Sequence, residues 1–380
     1  MLGLGLLSLL LSVVTATVVL PRTTACNNSP DLCSKSYGEI THLGAHDSPF
    51  VRDASDDYTV AANQYYNTTI QLDAGVRLVT AQVHKDGSEW RLCHTSCDIL
   101  DVGKLSTWLS EIKSWLDSNL NEVVTVLIVN SDDATASELN SEFETANIVN
   151  YTYTPSSSSA PDTWPTLEEL ISNGTRLMTF VASLDSSNNT AAPYLMDEFT
   201  YIWENNYDVT TPSNFSCEPN RPSSLNDKLS TALASNRLPF MNHFLYATTL
   251  LDLIEYPNSS YAPTTNAPSG GTGNLGDTAT KCKEDWSGRQ PSFILVDFFD
   301  QGPAIDTVDK LNNVTSPVGR LNISNLATTE QIDGDGTYAN VYKGLVNLVS
   351  SVESGSDPSV GEWIWAGGDW GSILGGGISL

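Results

Sequence analysis

Five histidines are present in this 380-residue chain, and two of them have neighbours suited to proton transfer. His46 lies in Leu43-Gly44-Ala45-His46-Asp47-Ser48-Pro49-Phe50, after the strand-like Gly38-Glu39-Ile40-Thr41-His42. A sharp exit from that strand places an imidazole, a carboxylate and a hydroxyl at the rim of a pocket. His94 follows in Arg91-Leu92-Cys93-His94-Thr95-Ser96-Cys97, again just past a strand-like run. Imidazole titrates near neutral pH unaided, so two of them at strand ends suit a general base and a general acid. For His42, His84 and His243 a structural role weighs at least as much as a chemical one.

Strand and helix patterns alternate around these residues. Thr69–Ala74 reads as helix and Gly75–His84 as strand, with Thr80, Gln82 and His84 on one face and Arg77 on the other. Leu105, Trp108, Leu109, Ile112, Trp115 and Leu116 recur at helical spacing. They lead into Glu122–Asn130, a continuous apolar run of the kind buried on both faces of a parallel sheet. Thr175–Val181, Leu238–Tyr246 and Phe293–Phe299 read as further strands, and Leu225–Ala234 and Ala339–Val352 as helices. Asn130, Asn242-His243 and Asp297 put more polar groups in or at the ends of strands. The expected fold is α/β, a single (β/α)8 barrel of TIM type, irregular or incompletely closed, with its site at the carboxyl ends of the strands. Tyr153–Pro165, Pro257–Gly276 and Val314–Gly336 read as surface loops.

Composition narrows the setting. With 45 acidic and 18 basic residues the formal charge is −27, which argues against nucleic acid and anionic bilayers as partners. The chain carries no charge before Arg22, and residues 1–16 read as a signal peptide. Residues 17–380 are then one domain with a glycine-rich tail, and no later stretch approaches the roughly 20 apolar residues that span a bilayer. Nine N-x-S/T sequons, at Asn27, Asn67, Asn150, Asn173, Asn188, Asn214, Asn258, Asn313 and Asn322, accompany six cysteines. Together they indicate a secreted, disulfide-bonded glycoprotein, expected to be a monomer. Cysteine order favours Cys26 with Cys33, Cys93 with Cys97 and Cys217 with Cys282. Other pairings are open, as is a metal site at Cys93, His94 and Cys97, although no second ligand cluster lies nearby.

Gly44-Ala45-His46-Asp47-Ser48, Gly75-Val76-Arg77 and Leu92-Cys93-His94 resemble the X-domain of phosphatidylinositol-specific phospholipase C enzymes. The likeness is to the secreted fungal and plant branch of PLC-like phosphodiesterases, and it extends from about Ser29 to Asp300. It implies a barrel that hydrolyses a lipid or small-molecule phosphodiester. His46 would be the base that activates an inositol 2-hydroxyl, and His94 the acid that protonates the leaving oxygen. Asp47 would support the acid side and Asp297 would orient His46. Gln82, His84, Asn130, His243 and Arg77 are the candidate substrate contacts.

Members of that family place either calcium-binding carboxylates or an arginine on the second strand. Here the matching positions are Thr80 and Gln82. No cofactor is therefore expected, and neither calcium nor magnesium is supported by the ligand set. The same departure leaves an alternative open, a barrel of little turnover that acts as an extracellular binding or cell-surface protein. Glycoside hydrolysis would need two opposed carboxylates as its acid–base pair, and only Asp47 and Asp297 stand out.

Overall fold

The computed structural model describes residues 25–326, apart from 57, 186–188 and 250–253. The signal-peptide segment, the helix expected over Ala339–Val352, the glycine-rich tail and the sequon at Asn188 lie outside these residues. Eight strands form one parallel sheet: β1 (His42–Ala45), β2 (Leu78–Asp86), β5 (Val124–Asn130), β6 (Leu177–Ala182), β7 (Leu195–Asp197), β8 (Ile202–Glu204), β9 (Leu238–Asn242) and β12 (Phe293–Val296). Their spatial order is β7-β6-β5-β2-β1-β12-β9-β8. That order is the chain order of a (β/α)8 barrel, joined across β12 and β1, with no pairing between β7 and β8 among the described residues. Two antiparallel additions complete the strands: β3 (Glu89–Cys93) and β4 (Asp101–Lys104) extend β2, while β10 (Tyr246–Thr249) pairs with β11 (Ile254–Pro257).

The interior explains why the short strands still close on one another. Leu78, Leu127, Met178, Phe180, Met196, Ile202, Phe240, Phe293 and Leu295 form one buried cluster drawn from seven of the eight strands. Strand β1 contributes Gly44, where a Cβ would lie 2.7 Å from Leu78 and 2.8 Å from Leu295. Only glycine lets β1 approach that closely, and His42 below it packs against Tyr37 and Phe293. The opposite faces of β2, β5 and β6 carry Val79, Ala81, Val83, Val124, Val126, Ile128, Leu177 and Val181 into a second layer beneath the helices.

Nine helices lie among the described residues: α1 (Thr68–Ala74), α2 (Leu105–Ser118), α3 (Ala136–Thr145), α4 (Leu167–Asn173), α5 (Glu198–Tyr201), α6 (Leu229–Leu233), α7 (Ala262–Thr265), α8 (Leu275–Asp285) and α9 (Ala304–Asn312). The stripe expected of α2 is buried in full, from Leu105 to Leu116. Capping boxes start α3 at Thr135 with Glu138 and α4 at Thr166 with Glu169, each satisfying two otherwise orphaned amides. The segment expected to be the first strand is instead a 3-10 turn over Tyr37–Glu39, with pairing delayed to His42. The loop expected over Pro257–Gly276 contains α7 and the start of α8.

Disulfides join Cys26 to Cys33, Cys93 to Cys97 and Cys217 to Cys282. A 65-residue separation constrains an unfolded chain by roughly 4 kcal/mol and a four-residue one by roughly half of that. Replacing Cys217 and Cys282 by alanine is therefore expected to lower the melting temperature more than replacing Cys93 and Cys97. The smaller change is expected to act on turnover, because it frees the loop that carries His94. Thermal melts and rates of the two double variants check this, and the reverse ranking in both would refute it.

Asn67, Asn150, Asn173, Asn214, Asn313 and Asn322 are exposed sequon positions and Asn258 is half-buried. Asn27 is a correction to the sequence reading. Its side chain is buried, accepts a hydrogen bond from the Val123 amide and leaves no room for a glycan at Nδ2.

Candidate active site

Strand β1 ends at Ala45, and His46 follows at the carboxyl end of the barrel beside Asp297, which follows β12. The register Ala45 to Val296 makes the two residues neighbours. His46 Nδ1 lies 2.9 Å from Asp297 Oδ1, and Asn63 Nδ2 donates to the same oxygen at 3.0 Å. A proton on Nδ1 held by that carboxylate leaves Nε2 as the free basic nitrogen of the neutral ring. The imidazole is also stacked on Phe244, with centroids 3.9 Å apart.

The turn beyond His46 is tied down by side chains rather than by regular structure. Ser48 Oγ donates to the Ala45 carbonyl at 2.8 Å and Gln64 Nε2 to the His46 carbonyl at 2.8 Å. Gln71 Nε2 donates to the Ser48 carbonyl at 2.8 Å, and Thr80 Oγ1 accepts from the Asp47 amide at 2.8 Å. Asp47 has φ +47°, Thr95 beside His94 has φ +63° and Phe298 beside Asp297 has φ +43°. Each of these left-handed residues costs on the order of 1–3 kcal/mol, and such strain persists where the surrounding structure over-determines it. All three loops of the site turn on one.

Asp47 occupies the centre. Its side chain is almost wholly buried, and Oδ2 lies 3.6 Å from His46 Nε2 and 3.5 Å from His94 Nε2. Gln82 Nε2 donates to the same oxygen at 2.8 Å, while Gln82 Oε1 accepts from the Thr95 amide at 2.8 Å. Gln82 thus ties the His94 loop to the central carboxylate with both ends of its amide. His94 is further held by its amide bond to the Leu100 carbonyl at 2.9 Å and by an edge contact with Phe50.

Burial pushes the Asp47 carboxyl up to about 6, with the charge of His46 and the Gln82 hydrogen bond opposing it. At His46 burial opposes the charged ring, but Asp47 and Asp297 outweigh it and raise the imidazole above its ordinary value. His94 moves the other way, to about 3, because burial disfavours its charge and His46 and His84 repel it. The resting proton therefore sits on His46 rather than on His94.

Other sequence candidates fall at different places. His84 lies one inward step beyond Gln82, with Nδ1 3.4 Å from Asp132 and a buried Nε2 that has no partner among the described residues. Asn130 is not in the pocket: its amide clamps the Ala134 backbone in both directions, on the helix-facing side. His243 also faces the helices, stacked on Phe215 and bound to the Thr265 carbonyl. Arg77 precedes β2, at the far end of the barrel from the site. It is buried in an ion pair with Glu122, with further bonds to Leu72, Val76 and Asn28. Asn63, Gln64, Gln71 and Phe244 are the contributors that the sequence reading missed, and nothing in their local pattern marks them.

Calcium would need six to eight oxygens around one point. Thr80 accepts from the Asp47 amide and Gln82 is spent at both ends, leaving Asp47 as the one carboxylate between the histidines. Among the described residues no group of three or more His, Cys, Asp and Glu side chains could hold a metal. The donor set does not fit the ion.

Residues 32–312 match the family described as PI-PLC X 1. The chain belongs to the PI-PLC X family. It is 37% identical over 301 residues to an uncharacterized secreted protein of Arthroderma benhamiae, an alignment covering 77% of this chain and 65% of that relative. The chain thus spans less than two thirds of that relative's length. It is 35% identical over 291 residues to the PI-PLC X domain-containing protein 1 of the same organism, across 76% of this chain and 90% of the relative. Among solved structures, the phosphatidylinositol-specific phospholipase C of Listeria monocytogenes aligns over 78% of this chain and 96% of its own. The identity there is 14% and the TM-score 0.44. Within this PI-PLC X chain, then, the charged group expected on the second strand is replaced by a neutral tether.

Proposed function

We propose that the chain is a secreted phosphodiesterase that cleaves a phosphoinositide or related glycerophosphodiester by attack of an internal hydroxyl. The observation that carries this is the pair of imidazole Nε2 atoms flanking one carboxylate oxygen, at 3.6 and 3.5 Å. His46 Nε2 takes the proton of the attacking hydroxyl as the new P–O bond forms. His94 Nε2 gives its proton to the leaving alcohol oxygen as the old P–O bond breaks. The products are a cyclic phosphodiester and a free alcohol, and the proton is left on His46, its resting place; passing it to His94 restores the reacting form for the next turnover. Asp297 holds the base in the required tautomer, as a buried carboxylate does for a catalytic imidazole. Asp47 stabilises whichever ring is charged.

A phosphodiester anion between the rings also resolves the proton distribution. Its negative charge favours the imidazolium at His94 and offsets the burial and repulsion that depress it. The three disulfides support an extracellular setting. No described helix is long and apolar enough to cross a membrane. The neutral Gln82 favours one second reading, a barrel that binds phosphodiesters and turns them over poorly.

Incubating the secreted protein with phosphatidylinositol and with a soluble glycerophosphodiester, in excess EGTA and in excess calcium, separates these. Turnover that is unchanged by EGTA is the expected result. Binding without turnover under both conditions would establish the second reading instead. Activity lost in EGTA and restored by calcium would refute the metal-free site.

A further inference from the structure

Strand β2 directs neither an arginine nor a carboxylate at the reacting centre, yet a phosphoryl group gains negative charge in its transition state and needs donors aimed at it. One guanidinium reaches the mouth from elsewhere. Arg221 lies in the loop between β8 and β9 and pairs backbone to backbone with Glu204 at the carboxyl end of β8, at 2.9 and 3.1 Å. Its Nε donates to Glu204 Oε2 at 2.8 Å and its Nη2 to the same oxygen. Asn242 Nδ2, at the end of β9, donates to that oxygen at 3.1 Å. Two residues on from Asn242 is Phe244, the ring stacked on His46. Two residues span at most about 7 Å of backbone, so the short stretch from Asn242 to Phe244 touches both Glu204 and His46.

The guanidinium is poised rather than spent. It lies 4.2 Å from the centroid of the Tyr207 ring, the side chain is 37% exposed, and Nη1 makes no hydrogen bond among the described residues. Its charge is felt at His46, where it opposes protonation. Burial and the neighbouring Glu204 raise the Glu198 carboxyl well above the usual carboxylate range, while Arg221 holds Glu204 below it against burial.

We propose that Arg221 is the anion-binding residue of this site, its open Nη1 edge receiving a phosphoryl oxygen of the substrate. A fixed guanidinium suits phosphate because it offers directional donors and a charge that does not titrate. The proposal rests on the phosphodiesterase reading and deepens it: the positive charge comes from the β8–β9 loop instead of from β2.

Inorganic phosphate is the probe, titrated while the ring signals of His46 and His94 are followed by NMR. Arg221→Gln is expected to weaken phosphate binding at least about tenfold, the loss of one charge-assisted hydrogen bond. Arg221→Lys is expected to fall between the two, keeping the charge without the fork. Because Arg221→Gln leaves the Glu204 carboxylate buried and unpaired, Arg221→Gln with Glu204→Gln serves as the second variant and is expected to bind phosphate as weakly. Unchanged phosphate affinity in either folded variant overturns the proposal. So does a wild type that turns over phosphodiesters but binds no phosphate. A wild type that binds phosphate through Arg221 but hydrolyses nothing would defeat the phosphodiesterase reading alone.

Discussion

His46→Ala and His94→Ala are each expected to lower phosphodiester turnover by at least about a hundredfold, the range lost with a general base or general acid. The two losses differ in kind. His94 is needed only where the leaving oxygen must be protonated, so a p-nitrophenyl phosphodiester, whose leaving group departs as the anion, is expected to restore much of the rate to His94→Ala. The same substrate is expected to do nothing for His46→Ala, because the attacking hydroxyl still has to lose its proton. Both variants are expected to keep the near-ultraviolet dichroism of the wild type. Each removes a ring at the mouth of the barrel and leaves the buried cluster of Leu78, Phe180, Phe240 and Phe293 untouched. Rescue of both variants or of neither by the activated substrate would show that the roles are assigned wrongly.

Asp47→Asn is the second large effect, and its signature lies in the pH profile. In the wild type kcat/KM is expected to rise as Asp47 ionises, with a limb near pH 6, the value to which burial lifts its carboxyl. On the alkaline side it is expected to fall above the ordinary histidine value, because Asp47 and Asp297 together hold the proton on His46 against burial. The reacting form, with His46 neutral and His94 charged, carries the same number of protons as the resting form, so it is lost at the same two limbs. Asp47→Asn removes one negative charge from between the rings. The acid limb is expected to vanish and the alkaline limb to move to lower pH, since the raised pKa of His46 depends in part on that charge. The maximal rate is expected to fall at least about tenfold, as neither imidazolium retains its shared carboxylate. An acid limb that persists at the same pH in Asp47→Asn would assign it to another group.

Much of this site could be read from the chain, and the failures have physical causes. Strands β2, β5 and β6 are long enough to display alternation or continuous burial, and α2 shows its stripe directly. Strands β7 and β8 have three residues each, too few for any period, so the seam between them could not be read. His46 and Asp297 stand out in the sequence as polar residues ending apolar runs, and the register of β1 with β12 brings them together. Asn130 and His243 lie outside the pocket for the complementary reason. A strand buried on both faces gives no sign in its sequence of which face is inward, and both residues turn out to face the helices. In the sequence Gln82 shows only as a missing charge. That its amide is consumed by Asp47 and by the Thr95 backbone depends on the antiparallel β2–β3 excursion, which a single strand pattern does not show. Arg221 contributes from an irregular loop 17 residues after Glu204, where no periodicity exists to single it out.

An acid–base pair of His46 and His94 that works on a phosphodiester without a metal ion reveals itself in its product. The most direct measurement is phosphorus NMR of phosphatidylinositol incubated with the purified protein in excess EGTA, beside the same incubation with His46→Ala. The wild type is expected to generate a cyclic phosphodiester resonance and His46→Ala none over the same interval. Phosphatidylinositol left intact by the wild type, or the same resonance growing at the same rate with His46→Ala, would contradict it.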